Sequence, residues 1–218
     1  VKITGLDVFV CGFDGYAWIY EHFQRFAQQN LPLEYSFFSE QTEGLGIIPI
    51  GKGDWRERMI LCLDRLYSRD VIYLQEDFLI KNVDIDLLQE AYKLHVQSKA
   101  LITKLGRNYE FNCVQIPGRV GPLEIYLQNP SDQYLMSHQP VAIYQRRFLI
   151  ETLNTEKTPC ASTHEINGSQ IMRKRGETKV LCMGPTFRPN RSIIFEIEHA
   201  IRKGILLPDA EQLINTRI

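Results

Sequence analysis

Two adjacent carboxylates, Glu76 and Asp77, stand between the apolar runs 71–74 and 78–80 in the stretch "VIYLQEDFLI". A charge in such surroundings is costly unless it is paired or bound to a metal. Neighbouring carboxylates supply the hard oxygen donors that Mg2+ or Mn2+ prefers, and these ions complete their shells with substrate phosphates. The pair therefore points to chemistry on a phosphorylated substrate, although an acidic dipeptide at a strand end also serves as a helix cap or a salt-bridged turn. "GKGDW" places Gly51 and Gly53 before a helix, yet the full G-x-x-x-x-G-K-[ST] pattern is missing, which excludes a P-loop. The basic run "RKRGETK" has no interleaved aromatic residues and reads as a solvated turn instead of a nucleic-acid site.

The elements that must carry these residues follow from hydrophobic periodicity. "LDVFVCGFD" reads as a buried strand running into a loop at Gly12, Asp14 and Gly15. Ile19, Phe23, Phe26 and Ala27 recur at helical spacing and predict a helix ended by Asn30 and Pro32. "LEYSFF" is a second strand, and "IIPIGKGDWRERMILCLDRLY" joins a short strand to a helix opened by a capping pair, Asp54 with Glu57. "VIYL" is apolar on both faces, as in the centre of a parallel sheet covered by helices. Alternating strands and helices make a doubly wound α/β half, in which ligands bind outside the carboxyl ends of strands. Glu76 and Asp77 sit at such an end.

The second half is less regular. A helix is expected over "VDIDLLQEAYKLHVQSKA", begun by Asp84 or Asp86. "YEFNCVQI", "LEIYLQ" and "YLMSHQPVAIY" read as strands, interrupted by Pro117, Gly118, Gly121, Pro122 and Pro130. Helices follow near 145–153 and 162–173, then the strand "KVLCM", then a final helix from about Ile193 to Lys203 stopped by Gly204.

With 218 residues, 44% of them hydrophobic, one compact domain is expected. The net charge of -1 offers no general attraction to nucleic acid or acidic membranes. No run approaches the length of a membrane span. Five scattered cysteines without C-x-x-C spacing predict reduced thiols and a cytoplasmic setting. A chain that begins at Val1 and ends in "NTRI" suits a domain excised from a longer protein with further domains.

"GDWRERMILCLDRLYSRDVIYLQEDFLI" resembles the nucleotide-sugar half of GT-A glycosyltransferases, in which a central strand ends in an acidic motif. "SHQPVAIYQRRFLIETL" and "THEINGSQIM" are similar to the acceptor half of a small group of these enzymes found in bacteria and large viruses, chlorella viruses among them. The resemblance implies a Rossmann-related GT-A-like α/β domain with a mixed, mainly parallel central sheet flanked by helices. Residues 1–100 would form the nucleotide-sugar half and 101–218 the acceptor half. It also implies a UDP-sugar donor, a carbohydrate acceptor, transfer of a hexose or deoxyhexose, and assistance by Mn2+ or Mg2+. Were the chain viral, the setting would be the host cytoplasm. The family's Asp-x-Asp reads here as Gln75-Glu76-Asp77. Asp77 takes the place of the metal-binding last acid and Glu76 supports it, so affinity for the metal leans on the diphosphate.

By the same resemblance Glu165 occupies the late acidic position that deprotonates an acceptor hydroxyl, against the plain alternative of a helical glutamate facing the helix dipole. Gly12, Phe13, Asp14 and Tyr16 would hold base and ribose, with Asp54 and Arg58 adding hydrogen bonds. Trp55 belongs either to the core or to the donor site. His138 and Gln139 belong to a sugar pocket or to the scaffold, His164 to the surface, and His199 to a late metal position or to helix packing. Two rival readings remain: a binding module without turnover, and a sugar-phosphate nucleotidylyltransferase. Against the latter, "CGFDGYAWI" carries no Lys or Arg.

Overall fold

The computed structural model describes residues 1–107, 110–138, 140–155, 160–184, 192–202 and 204–216. Its first half follows the alternation expected from periodicity. Strand β1 (Leu6–Cys11) leads through a 3-10 turn (Asp14–Ile19) into α1 (Tyr20–Asn30), followed by β2 (Ser36–Ser39) and β3 (Ile47–Pro49). Helix α2 (Trp55–Asp64) then feeds β4 (Asp70–Leu74), and β5 (Phe78–Val83) starts directly after the acidic pair. The α2 capping box forms as expected: Asp54 accepts from the Glu57 N–H while the Glu57 side chain returns to the Asp54 N–H.

Helix α3 (Ile85–Ser98) is capped by Asp84, and β6 (Ile102–Lys104), β7 (Cys113–Val120), β8 (Leu123–Gln128) and β9 (Ala142–Gln145) follow. Helices α4 (Arg146–Thr155) and α5 (Ala161–Arg175) precede β10 (Val180–Gly184). The chain closes with β11 (Phe195–His199), β12 (Ile201–Arg202), β13 (Ile205–Leu206) and α6 (Pro208–Thr216).

Nine strands form one sheet in the order β3-β2-β1-β4-β9-β6-β10-β8-β7. β8 and β9 run against the other seven, so the sheet is mixed and mainly parallel. One face packs with Phe23 and Phe26 of α1 and Leu88 of α3, the other with Met59 of α2, Leu149 of α4 and Met172 of α5. β9, from the second half, inserts between β4 and β6. That puts the acidic pair beside elements that lie more than 60 residues away in sequence.

Three expectations need correction. The segment near 193–203 is strand, not helix: Phe195 and Ile197 face inward while Glu196 and Glu198 reach Lys81 at 3.4 and 3.8 Å. β11 pairs antiparallel with β5, and Gly204 makes a turn at φ +78°; Lys203 lies outside the described residues. The strand expected over "YLMSHQPVAIY" begins only at Ala142, because Asp132 draws the chain into turns by accepting from the Tyr134 and Asn112 amides. Finally, β7 runs through Pro117 and Gly118 with an irregular register between Ile116 and Arg119, an arrangement tolerated because β7 is an edge.

Deep under β4 lies a polar cluster. The Asp70 carboxylate, fully buried, meets His95 at 3.3 Å, Tyr92 at 3.1 Å and Arg69 at 2.9 Å. Burial alone would raise its pKa, but the hydrogen bond and charge of His95 and the charge of Arg69 bring it below its ordinary value of 3.8. A carboxyl lowered in this way stabilises the fold above its unfolded pKa, and that contribution disappears as pH falls through the folded one. We expect Asp70→Ala to cost about 3–5 kcal/mol, by leaving buried partners uncompensated. Urea denaturation at neutral pH measures this, and the difference from the parent should shrink below pH ~4.

Candidate active site

The carboxyl ends of β1 and β4 open onto a cleft of about 420 Å³. Its walls are Cys11 at the end of β1 with Phe13 and Tyr16 beyond it, Gly53 to Trp55 and Arg58 at the start of α2, and Tyr73 in β4 with Gln75 to Asp77 after it, together with Cys160 and Ala161 where α5 begins. The α2 capping box orients the helix so that Arg58, one turn in, points back to β1. There its Nη1 donates to the Gly12 carbonyl, its guanidinium lies 5.3 Å from the Phe13 ring centroid, and its Nε is buried without a hydrogen-bond partner among the described residues, the Glu40 carboxylate standing 3.9 Å away. Gly12 lets Tyr20 pack close behind this turn: a Cβ there would stand 2.7 Å from the Tyr20 hydroxyl.

Glu76 and Asp77 are 8% and 9% exposed. Burial, and then the charge of Asp77, push the Glu76 carboxyl up to about 8, although its Oε1 accepts from the Phe13 N–H at 3.2 Å. The Asp77 carboxylate lies 3.1 Å from Nδ1 of His199, which β11 brings to the start of β5. Burial would lower the His199 pKa, but the hydrogen bond and charge of Asp77 outweigh it and raise the value.

Among the described residues no three His, Cys, Asp or Glu side chains form a ready-made metal cage. Two adjacent carboxylates, one driven towards its neutral form by burial and then by the charge of the other, nevertheless fit a divalent cation that draws its remaining ligands from phosphate and water.

Of the residues singled out from sequence, Phe13, Tyr16, Asp54, Arg58, Glu76 and Asp77 line the cleft, while Gly12 does not and instead accepts from Arg58 through its carbonyl. Asp14 turns away from it. Its carboxylate accepts from the Glu40, Gln41 and Thr42 amides and from the Tyr20 hydroxyl, tying the loop after β2 to the loop after β1. We expect Asp14→Ala to destabilise the fold by about 1–3 kcal/mol through the stranded amides. Thermal and urea unfolding read that directly.

Glu165 is not on the cleft wall. Its Oε1 takes the His138 N–H at 2.6 Å and the Ser137 hydroxyl at 3.4 Å, and burial raises its pKa despite those bonds and the Lys104 charge. His164, expected at the surface, is fully buried and bonded to His138 at 3.1 Å and to Thr152 at 3.1 Å. His138 is buried within the scaffold, while Gln139 lies outside the described residues. Trp55 packs on Tyr73, His138 and His164, as a core residue would, and also lines the cleft.

Sequence reasoning missed Glu40, which accepts from the Asp14 N–H at 3.1 Å and lies 3.9 Å from Arg58 Nε. It also missed Tyr73 and Cys160 on the wall. Their sequence contexts carry no motif, so only the fold could have found them.

No family model matches the sequence, and no curated protein does. Solved structures do match. The mannosyltransferase PcManGT from Pyrobaculum calidifontis, solved with GDP-Man and Mn2+, is similar at 13% identity over 91% of this chain and 58% of that one, with a TM-score of 0.52. TarS 1–349 from S. aureus, also solved with UDP-GlcNAc, is similar at 10% identity over 85% of this chain and 59% of its own, with a TM-score of 0.51. A cytidylyltransferase from Leptospira borgpetersenii serovar Hardjo-bovis is similar at 10% identity over 99% of this chain and 95% of its own, with a TM-score of 0.51. The chain thus spans under two thirds of the first two. At such identities the likeness is one of fold: a mixed α/β, Rossmann-like architecture shared by GT-A enzymes and nucleotidyltransferases. Among the described residues no helix is long and apolar enough to cross a membrane.

Proposed function

We propose that this chain is a metal-dependent glycosyltransferase that moves a hexose or deoxyhexose from a UDP-sugar to a glycan acceptor. The observation that carries the reading is the meeting, in one cleft, of the Glu76–Asp77 pair with Arg58. The carboxylates call for a cation, and the guanidinium, offset among the described residues only by Glu40 at 3.9 Å, adds positive charge for an anion on the same wall. A nucleoside diphosphate with its Mg2+ or Mn2+ satisfies both at once. Held between Asp77 and Glu76, such an ion would offset the negative charge that grows on the departing diphosphate.

Phe13, 43% exposed, offers the base a ring face, with Tyr16 set edge-on at 5.6 Å. Gly12, Asp14 and Asp54 shape that wall, Asp14 from behind by fastening the loop at 40–42. Glu165, held and oriented by the 137–138 segment, takes the proton of the acceptor hydroxyl. Residues 1–218 act as one domain, 1–100 handling the donor and 101–218 the acceptor. The affiliation with a bacterial and viral group, and with it a cytoplasmic or host-cytoplasmic setting, rests on motif order in the sequence.

One observation favours a second reading: the chain matches a cytidylyltransferase over almost the whole length of both. The turn after β1 that would cradle a triphosphate carries no Lys or Arg between Gly12 and Ile19, which weighs against it. The two readings part in one assay. With Mn2+ and a panel of UDP-sugars, UDP release without pyrophosphate supports the transferase. Pyrophosphate release from CTP with a sugar phosphate or sugar acid overturns it.

A further inference from the structure

The peptide bond joining Ser137 and His138 is gripped on both sides. Its N–H donates to Glu165 Oε1 at 2.6 Å, and its carbonyl accepts from the Tyr144 hydroxyl at 3.1 Å. The phenol has one proton, and the carbonyl can only accept it, so Nδ1 of His138, 3.1 Å from the same oxygen, must be the donor in that contact. Burial, reinforced at His138 by His164 and Lys104, holds both imidazoles far below their usual range, so each carries a single N–H.

The next direction then follows. With its proton on Nδ1, His138 accepts at Nε2 from Nδ1 of His164, 3.1 Å away. The single proton of the Thr152 hydroxyl goes either to Nε2 of His164 at 3.1 Å or to the Leu149 carbonyl at 2.8 Å, which has a second lone pair beside its helical amide. A chain of hydrogen bonds therefore runs from His164 through His138 and Tyr144 to the Ser137 carbonyl, with Thr152 at its far end. All four of its side chains are buried, and Trp55 lies against both imidazoles.

We infer that Thr152, His164, His138 and Tyr144 are positioning residues for Glu165, acting through the Ser137–His138 peptide. Because the peptide is planar, fixing its carbonyl fixes the direction of its N–H. A bonded carbonyl also makes that N–H a stronger donor to the carboxylate. The inference rests on the proposed role of Glu165, and it supplies what that role lacks in the sequence: a means of holding a carboxylate on α5 against a turn that precedes β9.

The test uses Tyr144→Phe, which removes the bond to the carbonyl together with the contact to Nδ1 of His138, and His164→Asn, whose side-chain amide keeps a donor where Nδ1 stands. Weakening the N–H bond to Glu165 raises its pKa, so the acid limb of the kcat profile should move up by about one pH unit in Tyr144→Phe. On the acid limb, below the parent pKa, kcat should fall about tenfold, with the donor KM within about twofold of the parent. His164→Asn should recover most of what His164→Leu loses. The titratable groups facing Glu165 are Lys104 of β6, the two imidazoles, and Tyr144 itself. Lys104, lowered to about 8 by burial, is common to every variant, so its own titration cancels in the comparison.

Nitrogen NMR of the folded protein reads the chain without reference to activity. Both imidazoles should be neutral and protonated at Nδ1, and the His138 amide proton should move upfield in Tyr144→Phe and in Glu165→Gln. An Nε2-protonated His138, or an amide indifferent to Tyr144→Phe, overturns the inference. If the amide responds as expected while Glu165→Gln keeps full turnover, the positioning chain stands and the assignment of Glu165 as base falls.

Discussion

Asp77→Ala should lower turnover on the order of 10²–10³-fold, the scale associated with losing one charge-stabilising contact to a developing anion. The loss should fall on kcat/KM for the nucleotide sugar and should not be repaired by excess Mn2+. The variant should still fold. Among the described residues the Asp77 side chain has one polar partner at bonding distance, His199, whereas the backbone around it is fixed by the Ala200 N–H to Asp77 carbonyl bond at 2.8 Å and by the β5–β11 ladder. Removing the side chain also relieves Glu76 of the charge that helps push its pKa up, so local stability is little changed. Circular dichroism and steady-state kinetics on the same preparation separate the two effects. An Asp77→Ala protein with parental kcat/KM would remove the acidic pair from the chemistry.

The second large effect is expected at Glu165. Glu165→Gln is isosteric and can still accept the His138 N–H, so fold and donor binding should be kept while the base is lost. A positioned general base contributes about 10²–10⁴-fold, and kcat should drop by that order with the donor KM nearly unchanged. In the parent, burial raises the Glu165 pKa. A base works when deprotonated, so kcat should increase with pH through that raised pKa and fall away on its acid side. The Gln variant should lack this limb. A pH profile of kcat on both proteins is the check, and an unaltered acid limb in Glu165→Gln would assign the titration to another group.

How much of this was legible before the fold is clearest from particular segments. The capping box at Asp54 and Glu57, the Ile19–Phe23–Phe26–Ala27 stripe and the both-faces-apolar "VIYL" are local signals, and the structure realises each of them. The acidic pair was legible for the same reason, since its position at a strand's end is written in a single octapeptide. The stretch 193–201 was not. Ile193, Ile197 and Ile201 stand four apart and suit a helix, while Phe195 and Ile197 alternate with glutamates and suit a strand. Pairing with β5, more than 110 residues away in sequence, decides between them.

The same limit governs the site. His199 reaches Asp77 only because β11 lies beside β5, and Glu165 meets the Ser137–His138 peptide only because α5 packs over the turn before β9. Asp14 looked like a nucleotide contact because it follows the first strand. Nothing local revealed that the loop at 40–42 would present three amides to its carboxylate. Contacts made across the sheet depend on strand order, and strand order is a property of the whole chain.

The central claim is that the cleft beside Asp77 binds a nucleoside diphosphate together with a divalent cation. Isothermal titration of UDP, with and without Mn2+, into the parent and into Asp77→Ala tests it most directly. The account predicts that UDP binds the parent, that Mn2+ tightens binding by about tenfold or more, and that the enhancement is absent from the folded variant. Binding of UDP that ignores Mn2+, or an enhancement that survives Asp77→Ala, would contradict it.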